Sequence, residues 1–100
     1  MALTQISRIA TTSGDTWASI VTGPATVTSL VLANKTVGPS LVSVRINKGA
    51  TQATIVASDQ VAHGGSSRLR LPSIVLETGD TLQVKSVGGV DWVASGVTLS

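Results

Sequence analysis

The chain has 100 residues, 42% of them hydrophobic but only 2% aromatic, and a formal net charge of +2. That length holds one domain with a real core, and seven Lys and Arg scattered singly along it make no basic block and, without aromatic platforms, no single-strand surface, so nucleic acid is not an expected partner. The absence of Cys excludes disulfides and thiolate metal sites, and no run approaches the roughly 20 apolar residues of a membrane-spanning helix.

Val, Ser and Thr fill forty positions, which suits half-buried pleated strands far better than helices. Turn signals recur about every ten residues, at Ser13-Gly14-Asp15, Gly23-Pro24, Gly38-Pro39, Lys48-Gly49, His63-Gly64-Gly65, Gly79-Asp80 and Gly88-Gly89. They cut the chain into eight segments. The expected fold is therefore all-β, a single β-sandwich or jelly roll of about eight short, mainly antiparallel strands covering residues 1–100.

The first segment, Leu3 to Ala10, alternates poorly, so residues 1–12 read as an edge strand or an arm. Trp17 to Thr22 follows as a strand. In Val27 to Asn34, Leu30 and Leu32 share one face while Val27, Val31 and Ala33 share the other, the pattern of a strand that is central or is covered by a partner subunit. Leu41 to Asn47 alternates cleanly, Val42, Val44 and Ile46 inward and Ser43, Arg45 and Asn47 outward. Thr54 to Val61 sets Ile55 and Ala57 against Val56 and Ser58, and Ser67 to Leu71 turns Arg68 and Arg70 outward until Pro72, lacking an N–H, marks an edge strand or a bulge. Thr81 to Ser86 points Leu82 and Val84 inward. The last segment aligns Val90, Trp92 and Ala94 on one face up to Gly96, where a kink or bulge is expected.

Between Leu76 and Leu82, Thr78-Gly79-Asp80 is expected to reverse the chain as a hairpin, Gly79 taking a positive φ and Asp80 accepting from nearby N–H groups. On that reading Gly79→Val costs more stability than removal of the Asp80 charge.

Candidate chemistry is sparse. His63, with Asp59 four positions before it and Ser66 and Ser67 after it, has the residue types of a small hydrolase. The simpler reading is a polar residue in a Gly-rich turn. Gly64-Gly65 is followed by no Lys at P-loop spacing. Of the carboxylates only Glu77 and Asp80 lie close enough in sequence to begin a calcium site, and all five sit at or near turns, where Asp caps its own backbone. The expectation is a protein that is not an enzyme, with no catalytic residue, cofactor or metal. Trp92 reads as the bulky plug of the core; Trp17 reads equally as core or interface, and with Arg45, Arg68 or Arg70 it is the candidate interface, because binding hot spots favour Trp and Arg. A core of small aliphatic residues without disulfide staples further implies a homo-oligomer.

The opening MALTQISRIATTSG, the Thr22-Gly23-Pro24 turn, the strand ending LVLAN, then VSVRI, LETGDTLQV and the final VDWVASGV resemble small accessory virion proteins of tailed bacteriophages. The resemblance covers nearly the whole chain and is carried by strand and turn patterns. It implies a compact β-sandwich present in many copies, decorating or cementing the capsid or forming a head-spike base, with the neck, collar or tail as the alternative location. It also implies copies of the chain itself and the major capsid protein as partners, a place in the virion, assembly in the host cytoplasm, and no catalytic residues. Read without the resemblance, the chain also fits a carbohydrate-binding or adhesive β-sandwich, which would need Trp17 and Trp92 exposed on one face.

Overall fold

A computed structural model describes residues 3–35, 40–61, 66–69 and 73–99. Among them are nine strands and no helix: β1 (Leu3–Thr12), β2 (Ala18–Thr22), β3 (Ala25–Asn34), β4 (Ser40–Lys48), β5 (Thr51–Val61), β6 (Ser66–Leu69), β7 (Ile74–Leu76), β8 (Thr81–Ser86) and β9 (Val90–Leu99). They form two sheets, one of five strands in the order β1-β9-β3 with β6 and β7 both on the far side of β3, and one of four strands in the order β2-β8-β4-β5. Every pairing is antiparallel. The chain crosses between sheets at almost every turn, which is the wrapping of a jelly roll. β6 and β7 together hold the place of one strand, so nine strands stand where eight segments were expected.

The period-2 alternation accounts for the core. Trp92, Val90, Ala94, Val42, Val44, Leu82 and Val84 are completely enclosed, with Leu30, Leu32 and Leu76 nearly so, and each large aliphatic side chain buried in this way contributes about 1.5–3 kcal/mol. Trp92 is the only aromatic among them, the plug expected of it.

One inward set differs from the sequence reading. Val27 faces the core together with Leu30 and Leu32, on the opposite side from the one its spacing indicated. The reason is a bulge: the β3–β9 register shifts between Val27 and Ser29, so Thr28 is the extra residue and the strand resumes with its faces exchanged. Gly96 makes this possible, because a Cβ there would lie 2.0 Å from the Thr26 carbonyl oxygen. The kink expected at Gly96 thus takes the form of a bulge in the neighbouring strand.

A second difference concerns Thr78-Gly79-Asp80. The turn itself forms, with Gly79 at φ +87° and the Asp80 N–H donating to the Glu77 carbonyl at 3.0 Å. It is not a hairpin, however. β7 pairs with β3 and β8 pairs with β2 and β4, so the turn carries the chain from one sheet to the other. The residues that reverse a chain are the same in both cases; only the pairing partners of the flanking strands distinguish them.

Hydroxyl groups tie the sheets together at one end of the sandwich. The Trp92 indole N–H donates to Thr12 Oγ1 at 2.8 Å, Thr12 Oγ1 lies 2.6 Å from Ser86 Oγ, and the Ser86 hydroxyl donates to the Gly88 carbonyl at 2.6 Å. Because Ser86 has a single proton and spends it on Gly88, Thr12 must donate to Ser86. All donors therefore run the same way from β9 through β1 to β8.

Candidate interaction surface

The loop leaving β1 sets the geometry of the site. Gly14 and Asp15 both take left-handed backbone conformations, φ +66° and +57°, a region tolerated by Gly and, less readily, by Asp. Their N–H groups donate to the carbonyls of Val87 (3.0 Å) and Ser86 (2.8 Å), pinning the loop to the end of β8. Trp17 then falls just before β2, with its ring on the outer side of the four-stranded sheet.

There it meets two cations. The Arg45 guanidinium lies 4.2 Å from the ring centroid and the Lys85 ammonium 4.9 Å from it, both within cation–π reach and worth about 0.5–1 kcal/mol each at an exposed site. Arg45 and Gln83 are cross-strand neighbours on β4 and β8, and Ser19 of β2 is opposite Gln83. Arg45 Nε donates to Gln83 Oε1 at 2.7 Å and Nη1 to Gln52 Oε1 at 3.1 Å, while Gln83 Nε2 donates to Ser19 Oγ at 3.2 Å. Ser19, Gln83 and Arg45 lie in one transverse line across β2, β8 and β4, and Gln52 of β5 reaches Arg45 from a diagonal position opposite Asn47, so that side chains from all four strands hold Arg45 in place. Its acceptors are neutral amides, so among the described residues its charge has no carboxylate partner. Lys85 differs, pairing with Asp15 at 3.2 Å.

Of the residues expected at the interface, Trp17 and Arg45 are brought together. Arg68 lies in β6, opposite Val31 of the five-stranded sheet, and so belongs to the other layer. Arg70 lies outside the described residues. Lys85, Gln83 and Gln52 were not singled out from the sequence: the outward positions of Gln83 and Lys85 follow from the alternation of Thr81 to Ser86, Gln52 precedes the segment Thr54 to Val61 read as a strand, and nothing local indicated that the β1–β2 loop would bring a tryptophan over them.

The other candidates resolve differently. His63, Gly64 and Gly65 lie outside the described residues, as does the hydrolase arrangement built on them. Glu77 and Asp80 do approach one another, but around an ammonium: Lys48 Nζ pairs with an Asp80 carboxylate oxygen and lies 3.8 Å from Glu77 Oε1. Asp80 also accepts from the Glu77 N–H at 2.9 Å. The Lys48 hydrogen bond, then the Glu77 N–H, hold the Asp80 carboxyl below the ordinary range, and the same contact raises Lys48. The paired tryptophan platform required for a carbohydrate site does not form, because Trp92 is fully enclosed between the sheets while Trp17 is outside them.

No protein-family model matches the chain, and no curated protein gives a significant match.

Proposed function

We propose that this protein is a non-enzymatic structural subunit of a tailed-bacteriophage particle, docked on the major capsid protein as a decoration or cement subunit or as the base of a head spike. A position in the neck, collar or tail is the second placement within the same reading. The observation that carries the proposal is the Trp17–Arg45 patch on a sheet face: an aromatic ring and a guanidinium, the residue types that dominate binding hot spots, held rigid by Gln83 and Gln52 before any partner arrives. Preorganisation of this kind lowers the entropic cost of docking. Many such modest contacts repeated over a lattice give an avidity that no single one provides. The jelly-roll wrapping is a frequent architecture of capsid proteins, which is support by analogy of fold.

The location within the particle is tested by the genes adjoining its own. Portal, protease and major capsid genes would support the head, and tape-measure and baseplate genes the tail. A neighbourhood of metabolic genes would contradict the proposal. At the protein level, antibody labelling of purified particles should mark a regular array of sites, and unlabelled particles would overturn the reading.

A further inference from the structure

Three of the four sheet edges are blunted in ways that discourage pairing with another chain. β2 has only five residues and a register shift against β8 between Ser19 and Val21. β5 is out of step with β4 on both sides of Val44. The far edge of the five-stranded sheet is divided between β6 and β7, whose registers on β3 do not continue one another: Leu30 meets Leu69, but Val27 meets Ile74.

β1 is unlike the others. It runs beside β9 from Leu3↔Leu99 to Thr12↔Val90 without a single shift, and no described residue pairs with its other side. It contains no Pro and no Gly, and Arg8 is its one charged residue. Its outward-facing Ile9 is 80% exposed, more than any other large hydrophobic residue described. Ile9 is also the end of a row: it lies opposite Val93 on β9, which lies opposite Val31 on β3. The apolar row stops at the edge, with no described residue paired beyond it.

We infer that β1 pairs with β1 of a second copy of this chain, antiparallel, about a two-fold axis at Ile9, so that two five-stranded sheets become one continuous sheet. The second copy is the occupant that the pattern itself selects. Opposed residues of an antiparallel pair share a face, so Ile9 of one copy meets Ile9 of the other and the row Val31–Val93–Ile9 continues into its own symmetric image. In this register each Arg8 is opposite Ala10 of the second copy, whereas an axis at Arg8 would set two guanidinium-bearing residues directly against each other. An axis at Ser7 would put Ile9 against the polar Gln5 and break the row. The inference is independent of where the particle reading places the protein, since the self-paired edge leaves the Trp17–Arg45 face of the other sheet free.

The chain has no Cys, so single cysteines report the register cleanly. Sedimentation of the purified full chain should give a dimer. Mild oxidation should cross-link Ile9→Cys into covalent dimers and leave Ser7→Cys uncross-linked. Ile9→Lys should raise the dimer dissociation constant by about 30-fold or more, the loss typical of a central interface residue, with an unchanged far-ultraviolet circular dichroism spectrum. A monomeric wild-type chain, a trimer, cross-linking at Ser7→Cys but not at Ile9→Cys, or a folded Ile9→Lys variant that dimerises as the wild type does would each overturn the inference.

Discussion

The two ends of the sandwich are held by different chemistry. At one end the turns after β2, β4 and β7 converge on Asp80: its carboxylate binds Lys48 and the Glu77 N–H, and its carbonyl accepts the Gly23 N–H at 2.8 Å. At the other, Trp92, Thr12 and Ser86 form a neutral hydroxyl relay sealed from solvent. β8 joins them, beginning beside Asp80 and ending at Ser86. An ionic tie can be titrated and screened; a buried hydroxyl tie can be broken only by removing an atom. Each end also positions a neighbouring part of the fold: the hydroxyl end adjoins the loop that presents Trp17, and the ionic end fixes the crossover between the sheets.

The sharpest break is steric and falls at the ionic end. A Cβ on Gly23 would lie 2.1 Å from the Glu77 carbonyl oxygen, which is backbone and cannot swing away. Gly23→Ala should therefore destabilise the protein by about 3 kcal/mol or more, the upper range for overpacking, measured by urea unfolding. Ser86→Ala should cost less, about 1–3 kcal/mol, because it leaves the Thr12 hydroxyl and the Gly88 carbonyl without their partner. That loss should be the same at every pH where the protein folds.

The ionic end should behave otherwise. The Asp80 carboxyl titrates below its ordinary 3.8 in the folded state, so its contribution is complete above pH 3.8 and is lost as pH falls through the lowered value. Lys48 titrates above its ordinary 10.5, so its contribution is complete below pH 10.5 and is lost as pH rises through the raised value. Asp80→Asn should accordingly reduce stability at neutral pH and flatten the acid limb of the stability profile, while Ser86→Ala shifts the whole profile without changing its shape. The smallest effect is screening: raising salt from about 0.1 M to about 1 M shortens the Debye length from about 10 Å to about 3 Å. It should narrow the difference between wild type and Asp80→Asn and leave that for Ser86→Ala untouched. Gly79 and Asp80 hold the same turn by different means. A side chain at Gly79 would meet only open space, its cost being the strain of φ +87°, whereas Asp80 is enclosed and ties several turns together.

The sequence made the strands legible because alternation is a local signal: Val42, Val44, Leu82, Val84, Val90 and Trp92 could be assigned inward one by one. What escaped it was non-local. Thr12 and Ser86 look like ordinary surface residues until 74 positions of chain fold back to join them. Thr28 gives no sign that it will bulge, since the cause is Gly96 on another strand. The crossover at Gly79-Asp80 carries the residues of a hairpin. For the candidate site, Trp17 and Arg45 were identifiable by type, but their meeting depends on the loop docking to β8, and Arg68, equal to Arg45 by type, folds into the opposite layer.

The central claim, that the protein is an assembly subunit attached through the Trp17 face, is tested most directly by co-sedimentation with shells of the major capsid protein from the same genome. Wild-type protein should pellet with the shells at saturating, lattice-defined stoichiometry. Trp17→Ala and Arg45→Ala should each weaken that binding by about 30-fold or more, with folding and self-association intact. Wild-type protein that stays in the supernatant, or variants that bind as tightly as the wild type, would contradict it.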